Sequence, residues 1–328
     1  MAPVQVTPTD KVLQVSGTWR RGWVIAALAV VLAALMALHG YIPNGVRNLG
    51  SLLETFLPWL GLPIPILAGL AIYRRSAPAG IAVLLPIVVW LALFGEIVLP
   101  AKGGGSHDLR VVSNNVLAGN EDPAATSQTL IAADPDVIGL QEIPASAVSA
   151  YEEALGSVYR YHVVRGTVGL WSRYPITESS AVDLRLGWDR ALRAVVSAPA
   201  GTVAVYVAHM PSVRVDVDQG FTADQRDDSA EALGEALSAE KNSRVVLLAD
   251  LNGSVYDRAL APITAQLDSA QAAAGSGFGF TWPAGFPLAR IDHVLIRGVD
   301  VAHAWVLPAD GSDHRPVAAD LRLAQSTG

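Results

Sequence analysis

Eight residues between positions 115 and 314, namely Asn115, Glu142, His209, Asp250, Asn252, Asp292, Asp313 and His314, are carboxylates, carboxamides or imidazoles placed where apolar runs end. Carboxylate and amide oxygens are hard donors suited to magnesium, manganese or calcium. Cysteine, the soft donor, is absent from the chain. The inventory points to a hard divalent cation and an oxygen-rich substrate such as a phosphate, with imidazoles available for proton transfer. Asp250 and Asn252 are two apart and share a face if the strand continues through them. Asp313 and His314 are adjacent and diverge unless the chain turns, as Gly311-Ser312 suggests.

Presenting such groups together requires strands that end at a common edge. Ten short β-rich runs fit: 109–117, 136–143, 159–165, 168–176, 192–198, 202–209, 244–250, 290–296, 301–307 and 315–323. That is more than one sheet accommodates comfortably. Asp122-Pro123 reads as an N-cap followed by proline at the first helical position, and Thr222-x-x-Gln225 as a capping box before an alanine- and glutamate-rich helix ending near Ala239. Residues 109–323 are therefore expected to form one α+β domain. "AKGGGSHD" (101–108) reads as a glycine-rich linker of at most about 25–29 Å.

The chain before it is a different material. Its first hundred residues carry six Lys or Arg and three acids, leaving 17 bases against 27 acids in the rest. Residues 1–100 are expected to be a membrane domain with spans at about 22–42, 49–73 and 77–100, each near the twenty residues a bilayer needs. Pro58, Pro63 and Pro65 predict a kink or break in the second. Arg20-Arg21 and Arg74-Arg75 flank the spans on one side, which places the N-terminus in the cytoplasm and everything after Pro100 outside. Glu54, Glu96 and Arg47 then fall near the outer face, as interfacial anchors or as headgroup or docking contacts.

"SNNV" (113–116), "LQE" (140–142), "WSRYPI" (171–176), "AHMP" (208–211), "LADLN" (248–252), "RIDHVLI" (290–296) and "GSDHRPV" (311–317) occur in one order across nearly all of 109–323. In that order the chain resembles the endonuclease/exonuclease/phosphatase family of metal-dependent phosphoesterases. The resemblance implies a four-layer α/β/β/α sandwich, the DNase-like fold, and a Mg2+ site (Mn2+ or Ca2+ as substitutes) with Glu142 as principal carboxylate and Asn115 and Asp313 in support. It implies that His314 works on the phosphate with its tautomer held by Asp292. Asp250 and Asn252 would orient the attacking water and bind phosphoryl oxygens, and His209 would contact the phosphate and assist the leaving group. Asn114 is the alternative to Asn115. Arg190 and Arg193 are further candidate phosphate contacts, while His293 has no evident role.

Together these features describe a membrane-anchored, divalent-metal-dependent phosphodiesterase or phosphatase, acting outside the cell on a lipid headgroup or a small phosphate ester. An extracellular nuclease acting on DNA or RNA is the alternative, and an inactive binding domain of the same fold is a third. Two observations weigh against nucleic acid. The second half is acidic, with Lys102 and Lys241 its only lysines, and Leu117 stands where abasic-site endonucleases carry an acid. The loops 211–221 and 275–287 are the expected specificity elements.

Overall fold

The computed structural model describes residues 22–45, 47–98, 104–216 and 220–323. Arg20, Arg21 and the first three linker residues lie outside them. The chain divides into two compact units, one taking the chain up to Ile42 together with Phe56–Glu96, the other Pro43–Thr55 together with the chain from Ile97 onward.

The second unit contains fourteen strands among the described residues: β1 (Leu109–Asn115), β2 (Val137–Gln141), β3 (Tyr161–Arg165), β4 (Val168–Ser172), β5 (Ile176–Ala181), β6 (Ala191–Ala198), β7 (Gly201–His209), β8 (Val215–Asp216), β9 (Gly220–Phe221), β10 (Val245–Asp250), β11 (Asp268–Ser269), β12 (Asp292–Arg297), β13 (Asp300–Val306) and β14 (Val317–Arg322). Two six-stranded mixed sheets result, ordered β13-β14-β1-β2-β4-β3 and β11-β12-β10-β7-β6-β5. Each has one parallel pair at its centre, β1 with β2 and β7 with β10, and antiparallel neighbours around it. The crossovers contain helices Pro123–Ala132 and Asp224–Ser238.

In the central strands β1, β2, β7 and β10 both faces are covered, and alternation therefore leaves their runs apolar nearly throughout. Val111 and Leu248 point between the sheets, into a core shared with Leu170, Val207 and Val294. Their neighbours Val112 and Leu247 point outward, Val112 beneath a helical layer with Leu130, Tyr151 and Leu155, and Leu247 with Leu233 and Leu237. The result is a four-layer α/β/β/α sandwich. Gly139 lets the sheets approach closely, because a Cβ there would lie 2.8 Å from Leu248 and 3.1 Å from Val207.

Asp122 caps its helix as expected, its side chain accepting from Ala125 N at 2.9 Å. The Thr222 box does not form. The helix begins at Asp224 without a side-chain cap, and Thr222 Oγ1 pairs instead with the Arg214 backbone. Arg193, a candidate phosphate contact by sequence, is instead bonded to Glu178 and Glu240. The Arg193 hydrogen bond, opposed by burial and supported by Asn242 N and Tyr206, holds the Glu240 carboxyl down from 4.5 to about 2. A carboxyl depressed on folding stabilises above its unfolded pKa and loses that effect as pH falls through its folded one. Glu240→Gln is therefore expected to cost about 2 kcal/mol at pH 7 after allowance for solvent screening at Arg193. Denaturant titrations should show the gap closing between pH 4.5 and 2.

In the first unit, Ala77–Val98 is the helix among the described residues that is long and apolar enough by itself to cross a membrane. Trp23–Ala37 is apolar but has only 15 residues, about 22 Å of helix against the ~30 Å of a hydrocarbon core. The continuous span expected at 49–73 is broken. Leu49–Thr55 and Leu57–Tyr73 meet at a bend of 73°, where Pro58 opens a 3-10 turn that Pro63 converts to α-helix. Ala29, Met36, Ile64, Leu67 and Val83 form the small core of this unit.

Candidate active site

The parallel pairs bring strand ends to one edge. Across the second sheet, His209, Asp250 and Asp292 stand abreast, Asp250 registering with His209 on β7 and with Asp292 on β12. From the first sheet come Asn115, the last residue of β1, and Glu142, directly after β2. Asn115 joins the two sheets, its Nδ2 donating to Glu142 Oε1 at 3.1 Å and to Asp250 Oδ2 at 2.9 Å. Alternation along β1 turns Asn114 the other way, where its Nδ2 donates to Asp310 Oδ2 at 2.6 Å. Of the two amides, Asn115 is the one that faces the cluster.

Glu142 has φ 61° and Asn252 φ 47°, backbone conformations that L-residues other than asparagine and aspartate seldom adopt and that cluster at functional sites. Glu142 Oε2 accepts from Ala118 N at 3.1 Å. Asn252 is pinned to Asp250 through its own N–H (2.9 Å to Oδ1), and its Nδ2 donates to Met210 O at 3.0 Å.

His314 reaches the cluster from the loop before β14. Its Nδ1 lies 2.9 and 3.1 Å from the Asp292 oxygens, which leaves Nε2 turned toward Asp250 Oδ2 at 4.0 Å. Ser312 sets this loop, its Oγ donating to Asn115 O at 2.7 Å and accepting from His314 N at 3.1 Å. Burial opposes a charge on His314, but Asp292, then Asp250, outweigh it and raise the imidazole to about 10. His209 behaves oppositely. Burial first, then Arg190 and His314, drive it well below 6.5, so it is a neutral ring beside Glu142 Oε1 (3.4 Å) and Asp250 Oδ2 (3.6 Å). Burial also pushes the Asp250 carboxyl up; His314 opposes this and Asp292 reinforces it.

Two expected positions turn out differently. Asp313 makes no hydrogen bond or ion pair with Glu142 or Asn115 among the described residues; it is half-exposed, 4.0 Å from His314 Nε2, and accepts from Trp282 Nε1 at 3.4 Å. Its neighbour His314 takes the inward direction, as the turn at Gly311-Ser312 allows. Arg190, left open by sequence, is a site residue: its Nη2 lies 2.5–2.6 Å from the His209 ring nitrogens, one of which can accept from it. His293 points to the opposite face from Asp292, is fully buried, and donates from Nε2 to Gly253 O at 2.9 Å. Burial lowers it to about 4, so it serves as a neutral brace behind the Asn252 turn.

The donor set fits a hard divalent cation. Ligand atoms of Asp250, Asp292 and His314 lie within 4.8 Å of one another, and Glu142 adjoins them through Asn115. Buried carboxylates gathered this closely are costly without positive charge to offset them. Such an arrangement can orient water, stabilise charge on a phosphoryl group and exchange protons through two imidazoles of opposite charge state.

Residues 113–314 match the model of the Endonuclease/Exonuclease/phosphatase family. No curated protein matches the chain. Among solved structures, zebrafish (D. rerio) TDP2 complexed with single strand DNA product is similar at 18% identity, covering 65% of this chain and 98% of that one, with a TM-score of 0.55. The mannosyl-6-phosphatase of Bacteroides thetaiotaomicron VPI-5482 is similar at 19% identity, 65% and 99% coverage and a TM-score of 0.53. A functionally unknown conserved protein from Enterococcus faecalis V583 is similar at 15% identity, 65% and 99% coverage and a TM-score of 0.55. These likenesses concern the fold.

Proposed function

This chain belongs to the endonuclease/exonuclease/phosphatase family of metal-dependent hydrolases acting on phosphate esters, and we propose that it works at a bilayer, on the outer side of the cell membrane, upon a phosphorylated lipid headgroup. The observation that carries this reading is the rim of the site. From Leu109 onward, the large apolar side chains left exposed among the described residues are Trp188 (53%), Trp282 (38%) and Phe286 (72%). Two of them flank the cluster from opposite ends. Trp188 lies against Arg190, which touches His209, and Trp282 bonds Asp313 beside His314. Phe286 closes the Pro283–Phe286 turn that directly follows Trp282. Exposed aromatics grouped around a charged centre suit a membrane interface, whereas a domain with an excess of acids and Lys241 as its one lysine is poorly suited to a polyanion.

Membrane anchoring is supported by the exposed apolar faces of Trp23–Ala37 and Ala77–Val98. Orientation is supported by chain membership. Pro43–Thr55 and the chain from Ile97 belong to one unit, which agrees with a topology in which Leu57–Tyr73 and Ala77–Val98 would be a pair of crossings. Arg74 and Arg75, both exposed, lie at the turn between them, on the cytoplasmic side by the positive-inside rule.

Within the site, Glu142 would be the principal ligand of a Mg2+ ion, with Asn115 beside it in support. Bound there, the cation would polarise a P–O bond and offset developing charge. Asp250, its carboxyl raised by burial, accepts a proton from the attacking water, which Asn252 helps to orient. Protonated His314, oriented by Asp292, donates to a phosphoryl oxygen, and Arg190 supplies a second cationic donor. His209 lies where it can meet the leaving oxygen. Asp313, at the mouth, faces the substrate rather than the ion.

Full-length protein with Mg2+, assayed against phospholipid vesicles, single-stranded DNA, mannose 6-phosphate and the soluble diester bis(p-nitrophenyl) phosphate, tests the reading. Vesicle phospholipid should be the preferred substrate. Phe286→Ala should weaken turnover on vesicles roughly tenfold, the scale of one lost buried aromatic, and leave the soluble diester unchanged. Preferential cleavage of DNA, or equal losses on both substrates, would count against it.

A further inference from the structure

Residues 43–55 read in sequence as the approach to a membrane span and its first seven residues, yet they are bonded into the catalytic unit at both ends. Asn48 Nδ2 donates to Phe221 O at 2.8 Å and to Asp224 Oδ1 at 2.9 Å, and Phe221 N donates to Arg47 O at 3.0 Å. Three and six residues further on, two fully buried side chains take over. Ser51 Oγ donates to Asp257 Oδ1 at 2.9 Å; Glu54 Oε2 accepts from Arg258 N at 3.0 Å, and its Oε1 lies 3.5 Å from Arg258 Nε. Burying a carboxylate and a hydroxyl on this surface is stabilising only with such partners in place. These contacts define a built interface.

The contacts continue inward to the site. The second oxygen of Asp257 is 2.7 Å from Arg226 Nη2. Arg226 is wholly buried in helix Asp224–Ser238, and its Nη1 donates to Asn252 O at 3.2 Å. At the next residue a Cβ on Gly253 would lie 2.6 Å from that same Nη1, so the guanidinium sits directly against the turn. Asn252 itself holds a left-handed φ and is bonded through its backbone to Asp250. A strained turn keeps its geometry only while its surroundings determine it.

We infer that residues 43–55 are a strap that positions the hydrolytic site: Ser51 and Glu54 fix the Asp257-Arg258 turn, Asp257 fixes Arg226, and Arg226 holds Asn252 in register with Asp250. The inference rests on the assignment of Asn252 to the site proposed above. Ser51, Glu54, Asp257 and Arg226 are positioning residues, since none touches the cluster of carboxylates and imidazoles. A consequence is that the phosphoesterase domain is incomplete without chain that precedes the last apolar helix.

The test uses the full chain in detergent micelles, with Mg2+ and bis(p-nitrophenyl) phosphate as the probe. The double variant Ser51→Ala/Glu54→Gln should lower kcat roughly tenfold, within the range that small misplacements of a site impose, with KM changed less than twofold. In an Asn252→Ala background the same pair should cause no further loss, because its effect passes through Asn252. Amide hydrogen exchange should quicken over 250–258 while the central strands stay protected, which separates loosening of the turn from failure to fold. Arg226→Lys, keeping the charge, should recover more activity than Arg226→Gln. Unchanged kcat and exchange in the double variant, or full additivity with Asn252→Ala, would overturn the strap alone; wild-type activity in Asn252→Ala would overturn the site assignment and the strap with it.

Discussion

His314→Ala is expected to lower kcat by 10²–10⁴ on any substrate that the enzyme accepts, and Asp292→Asn by a comparable factor. Removing a charge-stabilising donor to a transition state costs about that much. The asparagine keeps the shape of Asp292 but offers its amide to an imidazole that needs an acceptor at Nδ1, where the two contacts of 2.9 and 3.1 Å now lie. The ring would adopt the other tautomer or turn away. Because the two residues act as one device, the double variant should be little worse than His314→Ala. Additive losses would show that Asp292 acts independently, and wild-type rates in His314→Ala would end the assignment. The pair has a stability signature as well. An imidazole raised from 6.5 to about 10 on folding contributes fully below pH 6.5 and loses that contribution as pH rises through about 10. In chelator, the stability difference between wild type and His314→Ala should be widest near pH 6 and shrink toward pH 10.

The strands and the composition of the site were readable because the physics that sets them is local. All ten apolar runs became strands: the central ones alternate side chains between two buried layers, and those that reach the site end at or next to a polar residue. β5 escaped notice because "ITESSA" is an exposed edge strand with five polar or small residues and so lacks a buried face to declare it. Asn114 and Asn115 could be separated only by knowing which face of β1 looks toward the other sheet. Arg190 could not be told from Arg193 as a candidate phosphate contact and Arg226 carried no sequence signal: an arginine near a strand start or in a helix is ordinarily solvated, and both became significant through partners distant in sequence. The break at Phe56 was partly visible in the prolines, but the docking of residues 43–55 was not, because a polar residue in an apolar stretch reads alike whether it meets headgroups or a buried Arg258 backbone. Residue-pair geometry across long separations is what pattern alone does not encode.

Glu142→Gln should separate the cation from the rest of the chemistry. The substitution keeps the length of the side chain and an oxygen to accept from Ala118 N or Asn115 Nδ2, so the fold has little reason to change; what it removes is a full negative charge at the partly exposed end of the cluster. A cation that binds the native state alone stabilises it by RT ln(1 + [L]/Kd), about 2.7 kcal/mol at a hundredfold excess over Kd. Thermal unfolding followed against Mg2+ concentration should therefore show the midpoint of wild type climbing with metal and that of Glu142→Gln climbing only at concentrations on the order of a hundredfold higher. Activity at a fixed sub-saturating Mg2+ should fall about 10³-fold and recover in part as Mg2+ is raised, which a residue acting only on the phosphate would not do. Asp250→Asn sharpens the contrast. Asp250 is fully buried and its carboxyl is pushed up by burial, so neutralising it relieves a cost in the metal-free fold. If Glu142 is the principal ligand, Asp250→Asn should lose turnover while retaining most of the Mg2+-dependent stabilisation. The reverse pattern, metal response intact in Glu142→Gln and abolished in Asp250→Asn, would move the ion to the Asp250–Asp292–His314 cluster, whose ligand atoms already lie within 4.8 Å of one another.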